Sequence, residues 1–155
     1  MENYHLISDQ LNALLTGEKN PITVLANASA LVNQTVTNLN WVGFYLYDHE
    51  HDELYLGPFQ GQVACMHIPL GHGVCGVAAK EVQPQVVPDV TQFPGYISCD
   101  AAAKSELVIP LTDKSGELFG VFDLDAPVKD RFDQQLVRTM KEVAQIISKV
   151  IDEPA

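Results

Sequence analysis

Helical hydrophobic spacing stands at both ends of this chain, and strand-like segments fill most of the stretch between them. Residues 4–15 repeat apolar side chains every three or four positions. Asn20 and Pro21 predict the cap and the first residue of a second helix, which ends near residues 39–40. A helix over residues 130–151 closes the chain and flanks the strands from the other end. Its apolar stripe consists of Phe132, Leu136, Met140, Val143, Ile147 and Val150.

The middle of the chain predicts five strands. The first two form a hairpin around the polar turn at residues 48–52, and a short helix that runs through Ala79 follows the third. Residues 84–103 contain three prolines and predict an ordered loop over the sheet. This order of elements indicates an α+β domain with a central, mainly antiparallel sheet between N-terminal and C-terminal helices. The predicted strands are residues 41–47, 53–57, 63–69, 107–111 and 118–124.

Composition limits the partners of this domain. The chain has 155 residues with 9 Lys or Arg and 20 Asp or Glu, so its formal net charge is −11. A surface of this charge repels polyanions, which argues against nucleic-acid binding. The sequence has no apolar run of membrane-spanning length, and its start lacks the signature of a signal peptide. We therefore expect one domain over residues 1–155, located in the cytoplasm and away from membranes.

Three cysteines, Cys65, Cys75 and Cys99, cannot all pair within one chain. In a reducing compartment they indicate thiol redox chemistry, a metal site or plain burial, and the residues alone leave these alternatives open. Cys99 lies in a Pro/Gly-rich loop where its thiol would be accessible, whereas Cys65 and Cys75 lie in a predicted strand and at a glycine turn. A mobile cysteine near two fixed ones is the arrangement expected for attack and for resolution by disulfide exchange.

Two other patterns suggest a binding site, one for a dinucleotide and one for zinc, but the sequence around them disfavours both. Residues 71–76 match the G-x-G-x-x-G pattern of dinucleotide sites, but that fold needs parallel βαβ units and the neighbouring segments look antiparallel. The glycines more simply allow close backbone approach, and the helix that follows can hold a carboxylate at its N-terminus. A zinc site is disfavoured by its ligand spacing, so no metal is predicted. The set considered is Cys65, His67, His72, Cys75 and Cys99.

Three acidic residues are further candidates for a functional site. Asp123 and Asp125 alternate along an otherwise apolar strand and project from one face, where two acids are costly unless they meet solvent or a cation such as an ammonium. Glu106 follows Cys99 by seven residues. A partly desolvated glutamate has a raised pKa and can donate a proton at neutral pH. The simpler alternative for each acid is a solvated charge at a strand edge.

Eight short motifs and the cysteine spacing carry a family resemblance. They are residues 40–45, 56–61, 71–76, 87–90, 94–100, 105–106, 123–125 and 132–133. With them the chain resembles the free methionine-(R)-sulfoxide reductases, which are single GAF domains, over roughly residues 4–150. The chain departs from the family pattern at His72, where a basic residue is usual, and at Tyr96, where His is usual.

The resemblance implies an enzyme that reduces free L-methionine (R)-sulfoxide by thiol chemistry, with no bound cofactor. It implies that Cys99 attacks the sulfoxide and that Cys65 is its disulfide partner, with Cys75 as a second candidate for resolving. Our hypothesis is that Glu106 assists protonation of the sulfoxide oxygen. The residues assigned to the substrate pocket are Trp41, Tyr45, Glu106, Asp123 and Asp125.

The resemblance also implies partners. We expect an external dithiol such as thioredoxin to reduce the disulfide, and the amphipathic terminal helices are compatible with a homodimer, as in related domains. The rival hypothesis is a non-catalytic GAF module that senses a small ligand such as a cyclic nucleotide. It is disfavoured because no arginine precedes Arg131 to bind a phosphate.

Overall fold

The structure is a computed structural model and describes residues 4–152. Within them, the helices are α1 (His5–Leu15), α2 (Pro21–Thr35), α3 (Gly73–Glu81) and α4 (Gln134–Asp152). The strands are β1 (Trp41–Asp48), β2 (Glu53–Gly61), β3 (His67–Pro69), β4 (Gln85–Val87), β5 (Ser105–Thr112) and β6 (Leu118–Ala126). The strands form one sheet in the order β3-β2-β1-β6-β5-β4, with every pair antiparallel. The predicted α+β class and antiparallel sheet are confirmed.

The two longest helices, α2 and α4, each begin at a side-chain cap. Asn20 Oδ1 accepts hydrogen bonds from the backbone N–H groups of Ile22 (2.9 Å) and Thr23 (3.3 Å), as its position before Pro21 predicts. Asp133 Oδ1 likewise accepts from the N–H of Leu136 at 2.8 Å, so α4 starts near this cap. The prediction of a start at residue 130 is wrong, because Asp130 adopts a left-handed conformation with φ of 56°.

Three further boundaries differ from the prediction. Helix α2 ends at Thr35 rather than near residues 39–40, because Val36 is extended and Asn38 is left-handed. The third strand covers only His67–Pro69, so the segment containing Cys65 is not a strand. The predicted loop over residues 84–103 contains β4, a short edge strand set between Pro84 and Pro88, where proline is tolerated.

The sheet has two different faces. On the helix face, α1, α2 and α4 cover a close-packed apolar core that includes Phe122 and Leu124 of β6. On the cavity face, α3 and the loop that leads into β5 cover a smaller cluster. Asp123 and Asp125 point to the cavity face because successive side chains of a strand alternate. None of the helices in residues 4–152 is long and apolar enough to cross a membrane.

Candidate active site

A cavity lies between the cavity face of the sheet, the start of α3 and the loop at residues 96–103. It has about 460 Å³ of empty space, counting its opening to solvent. The predicted site residues converge here from four elements and the loop, although their roles stay predictions. The predicted residues that line the cavity are Trp41, Tyr45, Cys75, Cys99, Glu106, Asp123 and Asp125.

The three acids form a buried cluster on β5 and β6. Glu106 pairs with Asp125 in the register of the two strands, and Asp123 lies two residues along. Their exposed fractions are 6%, 8% and 5%, so the solvated alternative is wrong. Burial raises the pKa of all three carboxyls, and the neighbouring charge of Asp123 raises that of Glu106 and Asp125 further. The cluster therefore retains protons that exposed acids release.

Cys75 lies in the first turn of α3, with its Sγ 3.9 Å from Glu106 Oε2. Burial and the charges of Asp123 and Glu106 raise the pKa of this thiol well above its ordinary value. Because the thiolate is the nucleophilic form, Cys75 is a poor nucleophile while the acids surround it. The Sγ of Cys75 and carboxylate oxygens of Glu106 and Asp123 lie within 4.8 Å of one another, so they could also hold a metal ion.

Cys65 and Cys99 form a disulfide that joins two loops, with 5.3 Å between their Cα atoms. Cys99 lines the cavity, whereas Cys65 is held beside it by the hydroxyl of Tyr45, which donates to the Cys65 carbonyl at 3.0 Å. Both cysteines are half-buried. His67 Nδ1 lies 3.0 Å from Glu53 Oε1.

Aromatic rings form one wall. Trp41 stacks on Tyr45 with ring centroids 5.9 Å apart and on Phe59 at 5.1 Å. The indole N–H donates to the Gln62 carbonyl at 3.2 Å, so both ends of the ring system are fixed. Burial raises the pKa of Tyr45, whose phenol stays protonated. The wall is a rigid apolar surface directly beside the acids.

The glycines at the start of α3 bring backbone segments together. A Cβ on Gly76 would lie 2.6 Å from the Pro69 carbonyl oxygen, and the Gly71 N–H donates to the Gly76 carbonyl at 2.8 Å. Gly73, which lines the cavity, has φ of 65°. Since His72 supplies no side-chain cap, the first N–H groups of α3 are available to an anion at the cavity.

One contact of the site was not singled out from the sequence. Asn40 Nδ2 donates to Asp100 Oδ2 at 2.8 Å, and the Ala102 N–H donates to Asp100 Oδ1 at 2.9 Å. These bonds tie the residue after Cys99 to the start of β1. Both residues belong to the motifs that carry the family resemblance, residues 40–45 and 94–100, but nothing in the sequence indicated that they bond to each other. Among buried side-chain atoms of the described residues, Asn40 Oδ1 and Asp123 Oδ1 have no hydrogen-bond partner.

Comparison with known proteins agrees with this geometry. The GAF domain family model matches residues 20–152. The free methionine-R-sulfoxide reductase of Escherichia coli is 43% identical over 150 residues, which cover 97% of this chain and 91% of that protein.

Solved structures extend the comparison to three dimensions. The fRMsr of Staphylococcus aureus in complex with substrate has a TM-score of 0.91 and 46% identity, and the match covers 97% of each chain. The free methionine-R-sulfoxide reductase of Neisseria meningitidis, in complex with its substrate, has a TM-score of 0.92 and 37% identity over 96% of this chain and 88% of that one. The chain therefore belongs to the free methionine-R-sulfoxide reductase family of GAF-domain proteins.

Proposed function

We propose that this chain is an oxidoreductase that reduces free L-methionine (R)-sulfoxide to methionine. The observation that carries the proposal is a single cavity in which a disulfide cysteine faces a buried, proton-retaining acid cluster. Such a cavity combines the two things that sulfoxide reduction needs, a thiol to take the oxygen and an acid to protonate it. Membership of the family supports the same substrate.

In the proposed reaction, the Cys99 thiolate attacks the sulfoxide sulfur while Glu106 gives a proton to the sulfoxide oxygen. The oxygen passes to Cys99 as a sulfenic acid, and methionine leaves with its sulfur reduced by two electrons. Cys65 then attacks the sulfenic sulfur, water leaves and the Cys65–Cys99 disulfide forms. A dithiol such as thioredoxin returns both cysteines to thiols.

Two observations favour these roles for the thiols. The raised pKa of Cys75 argues against it as the attacking group, since it stays a thiol beside the acids. The direct bond between Cys65 and Cys99 favours Cys65 as the resolving partner. Cys75 instead contacts Glu106, and the weak hydrogen bond from its S–H group to that carboxyl helps to hold the carboxyl in place.

The amino-acid head of the substrate fits the polar end of the cavity. Asp123 Oδ1 is buried without a partner, so an ammonium group would satisfy it and offset the charges of Asp123 and Asp125. The first N–H groups of α3 would bind the carboxylate. Trp41 and Tyr45 would pack on the methyl group and fix the epimer. A methionine within a polypeptide has amides at both positions, so we expect it to be excluded.

The same proposal covers the assembly and the compartment. The thiols and carboxyls carry every proton and electron of the reaction, so we expect no bound cofactor. We propose that the chain acts as a single GAF domain in the cytoplasm, where dithiol reductants are abundant. We also propose a homodimer through the terminal helices, since Leu6 and Leu14 of α1 are exposed. Analytical ultracentrifugation tests the last point.

The decisive experiment couples turnover to NADPH oxidation through thioredoxin and its reductase. We expect activity with free R-sulfoxide and none with free S-sulfoxide or a sulfoxide-containing peptide. Cys99→Ser should abolish methionine formation, and Cys75→Ser should retain at least about ten times more activity than Cys99→Ser. In Cys65→Ser, dimedone should label Cys99 after one turnover. Labelling of Cys75 instead would overturn the assignment of the attacking thiol.

A further inference from the structure

The two sulfurs of the disulfide have different surroundings. Cys99 lines the cavity together with the buried acids, whereas Cys65 is not among the described residues that line it. Cys65 lies in a segment whose next residue, Met66, is 67% exposed and whose Val63 is 84% exposed. Cys65 therefore offers a large reductant a sulfur outside the cavity lining, whereas Cys99 shares that lining with the acids, and access decides which sulfur is attacked.

The surface on that side carries unusually little charge. The chain has 29 charged side chains, yet residues 54–79 contain no Asp, Glu, Lys or Arg, and neither do residues 90–99. These two uncharged segments carry Cys65 and Cys99. Depletion of charge with exposed Met and aliphatic side chains is typical of the centre of a protein interface. It also limits the repulsion that a chain of net charge −11 exerts on another acidic protein.

We name the exposed residues 62, 63, 66, 67, 97 and 98 the disulfide face. Val63 and Met66 supply most of its apolar area, with exposed fractions of 84% and 67%, and Ile97, which also lines the cavity, adds an exposed fraction of 37%. The side chains of Val63 and Met66 are left so exposed that they contribute little to the fold and are available to a partner. A partner that reduces the disulfide beside them must supply a thiol.

We propose that the disulfide face is the docking surface for a protein dithiol of the thioredoxin class, and that this dithiol attacks the sulfur of Cys65. The proposal rests on the redox cycle of the proposed function. The partner's thiolate forms a bond to Cys65 Sγ, the S–S bond breaks and its electron pair leaves with Cys99 as a thiolate. The partner's second thiol then attacks the mixed disulfide, releasing Cys65 and the oxidised partner.

This order has a consequence for the cycle. Cys99 is released first and already faces the cavity, so the attacking thiol is restored while the partner still covers Cys65. Attack on Cys99 would instead direct the partner to a sulfur in the lining of the substrate cavity.

The first test traps the mixed disulfide. The protein is oxidised with diamide, so no sulfoxide turnover is needed, and is mixed with thioredoxin whose second active-site cysteine is replaced by serine. Trypsin cleavage after Lys80 separates Cys65 from Cys99, in residues 20–80 and 81–104. Fragmentation then distinguishes Cys65 from Cys75. We expect thioredoxin on Cys65 in at least about tenfold excess over Cys99. Predominant attachment to Cys99, or no Cys65–Cys99 disulfide after oxidation, would overturn the proposal.

The second test adds charge to the disulfide face. In the double variant Val63→Glu and Met66→Glu, the rate constant for disulfide reduction by thioredoxin should fall at least about tenfold. Reduction by dithiothreitol should change less than twofold. Ile22→Glu, at an exposed aliphatic position on α2, adds charge to the layer that covers the helix face and should leave both rates within twofold.

The outcomes separate the two proposals. Equal rates for the double variant and Ile22→Glu would overturn the docking surface. A protein that fails to reduce free sulfoxide, yet accepts thioredoxin on Cys65, would overturn the proposed function and leave the docking surface in place. Normal sulfoxide reduction with thioredoxin attached to Cys99 would overturn the docking surface and leave the proposed function in place.

Discussion

The helix face and the cavity face of one sheet have opposite characters. Phe122 and Leu124 face a core of close-packed apolar side chains on the helix face. Asp123 and Asp125, their neighbours in β6, face a cavity that also holds a thiol and a disulfide. The difference shows that strand alternation alone can separate a stabilising surface from a reactive one. We therefore expect substitutions on the two faces to affect different measurements.

The largest expected effect is a loss of activity on the cavity face. Glu106→Gln removes the proposed proton donor while keeping the shape of the side chain, so kcat should fall about 10²- to 10⁴-fold. Its unfolding free energy at pH 8 should not fall, because the variant no longer buries a titratable acid. Steady-state kinetics and urea unfolding check both parts. Wild-type kcat in Glu106→Gln would remove the proposed acid from the mechanism.

The next effect is a loss of stability on the helix face. Phe122→Ala removes a buried ring that stacks on Phe44 and should lower the unfolding free energy by about 3–5 kcal/mol. At a temperature where the variant stays folded, its kcat should remain within about threefold of wild type. Asp123→Asn at the adjacent position is the matched control, with little change in stability and a raised KM. Equal stability losses in the two variants would break the contrast between the faces.

A smaller effect links the cavity acids to pH. Burial raises the folded-state pKa of Glu106 above its unfolded value, so the folded chain binds more protons than the unfolded chain between those values. Stability should therefore fall as pH rises above about 4.3, by up to about 1.4 kcal/mol per pH unit for each retained proton. Urea unfolding between pH 5 and 8 should show a smaller slope for Glu106→Gln than for wild type. An unchanged slope would mean that Glu106 titrates normally.

The smallest effect belongs to the cap of α2. Asn20→Ala removes two hydrogen bonds from the first turn and should cost about 1 kcal/mol of unfolding free energy. Activity should be unchanged, because this helix packs on the helix face. Thermal unfolding and steady-state kinetics test this prediction. A loss of kcat at a temperature where the variant stays folded would show that the two faces are coupled.

Local signals in the sequence predicted much of the fold. Asn20-Pro21 placed the start of α2, and the alternation of β6 placed Asp123 and Asp125 on one face, because both signals depend on neighbouring residues alone. The residues that the family resemblance assigned to the site also lie together around the cavity.

What depends on distant contacts was not predictable from those local signals. The burial of Glu106 requires α3 and the loop to close over the sheet. Strand β4 forms because residues 85–87 pair with β5, although the prolines beside them favoured a loop. The bond between Asn40 and Asp100 joins residues 60 positions apart, and neither residue type alone indicates it.

The Cys65–Cys99 bond closes a covalent ring with a sequence separation of 34, and α3 and β4 both lie within that ring. In polymer terms, closing the ring reduces the conformations open to the unfolded chain, whereas opening it restores them. Each proposed turnover thus changes the topology of the chain around Cys75. The melting temperature then reports the redox state of the protein, with the oxidised form melting higher than the reduced form.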